Sequence, residues 1–174
     1  MRQALLSIVI LAAAVAASGC ERIAPVRTLP NWVQGVYVPI VKNTSYWPGI
    51  EEDATRKIQE SFLADGRVGV VPKQSADIIL QVEIGEWRVR TSGTSGDDIA
   101  DRTEYTLTAK VQLFEPLAEQ PLATLPPIVV RRDYNTDSRS IDYDPEPDRV
   151  DDMLRNLGES IVRATITGFP ATMQ

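Results

Sequence analysis

An amphipathic helix between short β-strands is the feature that most constrains the fold of this chain. Apolar residues recur at every fourth position and therefore share one helical face: Ile50, Ala54, Ile58 and Phe62. Acidic residues at 51–53 suit the positive end of the helix dipole, and Asp65-Gly66 provides a left-handed stop. The sequence therefore predicts a helix that starts after Gly49 and ends at Gly66.

Strand-like patterns flank this helix and continue after it. Ile78, Leu80, Val82 and Ile84 alternate with less apolar residues, which is the period of a strand with one buried face. Strands are predicted at 36–41, 67–71, 76–90, 103–114 and 128–134. A second helix is predicted over 148–167, with Val150, Leu154, Leu157 and Ile161 on its apolar face. Gly158 in this helix predicts close packing against a neighbour.

These patterns predict an α+β fold, a two-layer sandwich in which two helices pack on one face of a four-stranded mixed or antiparallel sheet. The other face of the sheet then stays open and is either solvated or covered by a partner. It is predicted to carry Gln81, Glu83, Trp87, Lys110 and Gln112. We take Trp87 and Phe114 as candidate partner contacts, because aromatic side chains on an open face are typical of binding surfaces.

Composition excludes several classes of function. A chain of 174 residues with 43% hydrophobic residues suits one domain, and a net charge of -6 argues against a nucleic-acid binder. The sequence has no histidine, no metal-ligand spacing and no nucleophile motif, so we predict no metal, no cofactor and no catalytic residues. The single cysteine, Cys20, excludes an internal disulfide.

The first twenty residues have the pattern of an export signal. A charged start is followed by an apolar run and by small residues that lead into Cys20. This arrangement is similar to a bacterial lipoprotein signal, in which the cysteine is lipidated and holds the protein on a membrane. We therefore expect a signal peptide at 1–19, a lipidated tether at 20–34 and one domain at 35–170. The alternative is ordinary signal cleavage that leaves a free or buried cysteine.

Two loops have no regular period. The segment 91–101 is rich in glycine and acid and is predicted to be the tip of a hairpin, either a contact loop or a dispensable linker. The segment 115–127 contains four prolines, which exclude a helix or an interior strand there.

The ordered set of motifs resembles the LptE family of lipopolysaccharide-assembly lipoproteins. It consists of Asn43 in a turn, Gly49-Ile50-Glu51 at a helix start, Asp65-Gly66-Arg67 at its end and Ala76-Asp77 before an alternating strand. The resemblance implies an outer-membrane lipoprotein, held on the periplasmic face, that partners a large β-barrel of the LptD type. It also implies a non-catalytic plug and assembly role in the insertion of lipopolysaccharide.

Binding of lipopolysaccharide itself would need cations for its phosphates. The candidates cluster around the predicted hairpin tip and on the neighbouring strand: Arg88, Arg90, Arg102, Arg131 and Arg132. The alternative is that they are solvated strand ends, balanced by Asp97, Asp98 and Asp101.

The same element plan is also similar to periplasmic lipoproteins that regulate cell-wall enzymes by activating penicillin-binding proteins. That alternative changes the partner rather than the fold. Only about fifteen residues separate Cys20 from the first predicted strand, which favours a domain held close to its membrane.

Overall fold

A computed structural model describes residues 29–94 and 100–168. The predicted signal peptide, Cys20, the tether up to residue 28, the tip residues 95–99 and residues 169–170 of the predicted domain lie outside the described residues. Within the described residues the strands are β1 (Gly35–Tyr37), β2 (Lys42–Asn43), β3 (Gly69–Val70), β4 (Ile78–Thr94), β5 (Ala100–Phe114), β6 (Ala123–Thr124) and β7 (Ile128–Asn135). The helices are α1 (Glu51–Asp65) and α2 (Glu146–Thr167), with a 3₁₀ turn at Lys73–Ser75.

The long β4–β5 hairpin is the centre of one mixed sheet. Strand β4 pairs antiparallel with β5 and parallel with β1 and β2, and β3 lies outside β1. Strand β5 also pairs antiparallel with β6 and with β7. The sheet described here therefore has seven strands, so the predicted number of four is wrong.

The extra strands are short and leave little periodic signal in the sequence. Of the predicted strand 36–41, only Val36 and Tyr37 form a strand, as part of β1, and β2 begins after the predicted range at Lys42. Pro39 lies in the gap, because proline has no N–H to donate to a ladder. The proline-rich segment 115–127 contributes only the two residues of β6, which pair at the end of β5. The prediction that this segment forms neither a helix nor an interior strand agrees with its position in the sheet.

Both predicted helices form, and they pack on one face of the sheet as predicted. The predicted apolar residues of α1, from Ile50 to Phe62, are all buried. Gly66 adopts a φ of 71°, and its N–H donates to the Phe62 carbonyl at 3.0 Å, which ends the helix as the sequence indicates. In α2, Leu154, Leu157 and Ile161 are buried in the same core, and Val150 is half-buried.

The two helices run side by side in the same direction and touch at Gly158. A Cβ atom placed on Gly158 would lie 2.5 Å from the Ser61 Oγ and 2.8 Å from the Lys57 carbonyl oxygen. The predicted close packing at this glycine is therefore confirmed. About two helical turns before Gly158 in α2, the Asp151 Oδ1 lies 2.6 Å from the Lys57 Nζ, so an ion pair also joins the two helices.

A β-bulge at Gly85 changes which face of β4 is buried. Ile84 pairs with Ala109, but the next pair joins Glu86 to Thr108, so the register shifts by one residue. Trp87 consequently lies on the helix-covered face and is only 8% exposed. The prediction that Trp87 lies on the open face is wrong, because the inserted residue reverses the alternation of the side chains from Glu86 to Thr91, after which the register shifts again.

The sheet has two chemically different ends. The chain enters near Leu29, and Gly35, Ile78 and Phe114 lie at the same end, because β1 starts beside Ile78 and Phe114 pairs with Ile79. We call this the entry end. At the opposite end, which we call the tip end, Asn135 pairs with Arg102, close to the end of β4 at Thr94. Seventeen residues of β4 separate the two ends, a distance of roughly 55 Å.

Candidate functional site

A row of polar side chains crosses the open face of the sheet toward the tip end. Arg88 on β4 pairs with Thr106 on β5, and Thr106 pairs with Arg131 on β7. Because neighbouring strands lie about 4.7–4.9 Å apart, the two arginine Cα atoms are about 10 Å apart across Thr106. Both guanidinium groups can therefore reach one anion of phosphate size above the threonine.

The next rows toward the tip combine cations with carboxylates. Arg90 pairs with Glu104, which in turn pairs with Asp133, and Arg102 pairs with Asn135. Carboxylates directly opposite an arginine reduce the positive potential of that row. The Arg88–Arg131 row is therefore the better anion site, because the residue between its two arginines is a threonine.

The two arginines of this row differ in their local partners. The Arg88 guanidinium contacts the Glu86 carboxylate on the same strand. Arg131 is exposed and makes no ion pair within the described residues. A phosphate would have to compete with Glu86 for Arg88, whereas Arg131 has no carboxylate partner to displace within the described residues. A guanidinium can bind a phosphate through two parallel hydrogen bonds.

Arg132 does not belong to this group. It pairs with Tyr105 on the helix-covered face, where its guanidinium contacts Asn156 and its Nε lies 3.9 Å from the Asp152 Oδ2. The structure thus brings four of the five predicted arginines to the open face and places the fifth behind the sheet. The reason is the strict alternation of β7, which turns neighbouring residues to opposite faces.

Phe114 lies on the open face at the entry end, far from the arginines. It pairs with Ile79 and is half-buried. Its role as a partner contact stays a prediction. Trp87 offers almost no surface to a partner, since it is packed in the core.

The sequence did not predict a cluster of aromatic rings that lies on the helix-covered face, on the other side of the sheet from the arginine row. Trp47 stacks on Trp87 with ring centroids 5.2 Å apart, Trp87 meets Tyr105 edge-on at 6.5 Å, and Tyr105 meets Tyr134 at 5.5 Å. These rings come from a loop and three strands. Their contacts depend on tertiary pairing, so no local period predicts them.

Arg149 packs against this aromatic cluster, and the sequence did not predict this contact either. It is buried, its guanidinium lies 5.6 Å from the centroid of the Tyr105 ring, and it donates to the Asp144 carbonyl. Burial raises the pKa of Tyr134 well above its ordinary value, and the hydrogen bond that the Tyr134 hydroxyl donates to Asp152 adds to this effect. The sequence does contain one signal that Arg149 is buried, because it is four residues before the buried Met153 and shares its helical face.

The described residues show neither a metal centre nor a membrane-spanning helix. No group of three or more acidic, cysteine or histidine side chains within 29–94 and 100–168 is placed to hold a metal ion. In the same residues, no helix combines the length and the apolar character needed to cross a membrane. The carboxylates near the start of α2 have structural partners instead: Asp144 accepts from the Asn135 N–H at 2.8 Å, and Asp151 pairs with Lys57.

Known structures share this fold. Uncharacterized lipoprotein B from Nitrosomonas europaea is 17% identical, with a TM-score of 0.59 over 86% of this chain and 92% of that one. Rare lipoprotein B from Shewanella oneidensis is 16% identical, with a TM-score of 0.52 over 78% of this chain and 96% of that one. The hypothetical protein CT253 from Chlamydia trachomatis is 11% identical, with a TM-score of 0.53 over 79% and 97% of the two chains. At these identities the likeness shows the fold alone.

The family follows from a match of sequence rather than of fold. A search of curated proteins found no significant match. The model of the LptE family, described as lipopolysaccharide-assembly, matches residues 33–165, which span β1 to most of α2. Because this match covers well over half of the chain, the protein belongs to the LptE family of lipopolysaccharide-assembly proteins.

Proposed function

We propose that this protein is an outer-membrane lipoprotein, anchored on the periplasmic face, that partners a β-barrel translocon of the LptD type. Its role is that of a non-catalytic plug and assembly factor during insertion of lipopolysaccharide. The observation that carries the proposal is the family match over residues 33–165. The match includes both helices up to residue 165 and all seven strands, so it concerns the whole folded unit rather than one motif.

The chemistry of the open face supports a partner with a polar surface. Toward the entry end this face carries the polar side chains of Gln81, Glu83, Lys110 and Gln112, and the Lys42 Nζ lies 3.1 Å from the Glu83 Oε2. The lumen of a large outer-membrane barrel is polar. A polar sheet face suits such a lumen, because polar groups on the two surfaces can hydrogen-bond to each other directly or through water.

The Arg88–Arg131 row supports a direct contact with lipopolysaccharide. Phosphates are dianionic acceptors, and paired arginines bind them with charge-assisted hydrogen bonds. In this proposal Arg131 and Arg88 hold one phosphate while the Thr106 hydroxyl lies between them. The net charge of -6 disfavours unspecific attraction of anions, so binding depends on this local row.

Affinity purification tests the partnership. The lipidated protein is isolated from detergent-solubilised outer membrane, and whatever co-purifies in equal amount is identified. We expect a large β-barrel protein at one-to-one stoichiometry. Recovery of a cell-wall synthase in its place, or of no stoichiometric partner, would contradict the translocon proposal.

Arginine variants test the phosphate contact separately. The double variant Arg88→Ala/Arg131→Ala is expected to bind immobilised lipopolysaccharide at least about tenfold more weakly, because it loses charge-assisted hydrogen bonds. The double variant Arg56→Ala/Arg163→Ala is the matched control, since it also removes two exposed arginines, one from each helix, on the other side of the sheet. Equal losses in the two proteins would show that binding follows total charge and not this row.

A further inference from the structure

Two large apolar side chains are exposed at the entry end. Trp32 is 46% exposed in a turn in which the Val33 N–H donates to the Pro30 carbonyl at 3.1 Å. Leu117 is fully exposed, three residues after the end of β5 at Phe114. Trp32 precedes the start of β1, and Leu117 follows the end of β5. Both residues therefore lie at the entry end of the sheet, because β1 starts where β5 ends.

The backbone at Leu117 is held in an unfavourable conformation. Its φ is 74°, and among the described residues it is the one non-glycine residue with a positive φ. The Ala118 N–H donates to the Glu115 carbonyl at 3.1 Å, and Pro116 precedes Leu117, which is the arrangement of a type II turn. Glycine or asparagine is normal at this third position, so a leucine there has a local cost that no packing within the described chain offsets.

The entry end is also the end that the predicted lipid anchor holds. Leu29 is packed in the core, and nine residue steps lead back from it to Cys20. Nine residues span at most about 30 Å when fully extended. The entry end therefore stays within about 30 Å of the membrane, whereas the tip end lies roughly 55 Å further along β4.

We propose that the entry end of the domain rests on the bilayer that holds the anchor, with Trp32 and Leu117 inserted at the level of the lipid headgroups. Tryptophan favours this interface because its ring is apolar and its N–H stays hydrated. The Leu117 side chain is fully exposed in its turn, so burial among acyl chains gives it the apolar contacts that it lacks within the described protein. Glu115 and Glu119 lie in the same loop, so the contact depends on the apolar side chains and not on positive charge. The inference rests on the proposed lipid anchor and concerns the anchored protein before it joins the barrel partner, because a plug inside a barrel lumen is shielded from lipid.

Tryptophan quenching by brominated lipid tests the contact. The full lipidated protein is reconstituted into phosphatidylcholine vesicles whose acyl chains carry bromine near the headgroup. We expect quenching of the intrinsic emission that is lost in Trp32→Phe, since the remaining Trp47 and Trp87 are stacked together inside the domain. Quenching that is unchanged in Trp32→Phe would overturn the role of Trp32.

A matched pair of reporters tests Leu117. In the Trp32→Phe background, Leu117→Trp is expected to restore the quenching, whereas Ile141→Trp is not. Both native side chains are fully exposed, but Ile141 lies at the tip end, in the loop after β7. Equal quenching of both reporters, or of neither, would overturn the proposal. Flotation of the vesicles separates the two causes of failure: a protein that does not float lacks the anchor, and one that floats without quenching lacks the interfacial contact.

Discussion

At the scale of single residues, Gly158 sets the distance between the two helices. Alanine is the better helix former by about 1 kcal/mol, yet the added Cβ would lie 2.8 Å from the Lys57 carbonyl oxygen, a backbone atom that cannot rotate away. We expect Gly158→Ala to lower the free energy of unfolding by about 1–3 kcal/mol, measured by urea denaturation. Gly85→Ala makes the same chemical change where nothing lies within 4 Å of the new Cβ, so it should be nearly neutral. A stabilising Gly158→Ala would mean that the helices do not touch there.

The ion pair beside this glycine makes stability depend on pH. The hydrogen bond from Lys57, and a weaker contribution from Arg155, hold the pKa of Asp151 below its ordinary value of 3.8. A lowered pKa in the folded state stabilises the fold above pH 3.8, and this stabilisation is lost as the pH falls through the lower folded pKa. Because Asp151 is 39% exposed, screening limits the effect to about 0.5–1 kcal/mol.

We therefore expect Asp151→Asn to destabilise the protein at neutral pH and to match the wild type in strong acid. The measurement is urea denaturation of both proteins over a pH series. Glu60→Gln is the control, because in the part of the chain that the structure describes Glu60 pairs within α1, with Arg56 and Lys57. A difference between Asp151→Asn and the wild type that does not change with pH would contradict this account.

At the scale of elements, the bulge in β4 divides this strand into two parts with opposite exposure. Before Gly85 the even-numbered residues of β4 face the core, and from Gly85 to Thr91 the odd-numbered residues lie on the helix-covered face, so Trp87 joins the aromatic cluster. We expect Trp87→Ala to reduce the free energy of unfolding by about 3–5 kcal/mol, which is the usual cost of truncating a buried aromatic residue. Val89→Ala, at a half-exposed position on the same face, should cost less than about 1 kcal/mol. Similar small losses in both variants would place Trp87 on the open face after all.

At the scale of the whole molecule, the two proposed contacts, with phosphate and with the membrane, lie at opposite ends of the domain. The open-face arginines lie toward the tip end, and the chain enters the domain at the other end. If Cys20 carries the anchor, then the proposed phosphate contact is held at a distance from the leaflet in which the anchor sits. This separation suits a protein that receives its anionic ligand from a partner rather than from its own leaflet.

The anchor itself gives a direct prediction. We expect Cys20→Ala to move the protein from the outer-membrane fraction to the soluble periplasmic fraction, because each acyl chain contributes about 0.8 kcal/mol per buried CH₂. Cell fractionation followed by immunoblotting measures the distribution. Ser18→Ala is the control, since it keeps a small residue before the cysteine. Retention of Cys20→Ala in the membrane would mean that another contact holds the protein there.

The sequence by itself determined the helices and their buried faces, because a helix repeats within four residues and its stop at Gly66 is local. It also indicated the family, since the ordered motifs from Asn43 to Ala76 are linear. Only the tertiary structure decided which way Trp87 faces, whereas Arg132 follows the regular alternation of β7. One inserted residue, Gly85, exchanges the faces to which the following side chains of β4 point. The row of Arg88, Thr106 and Arg131 exists only because β4, β5 and β7 pair in this register. Short strands such as β2, β3 and β6 are likewise products of pairing, since two residues have no period of their own.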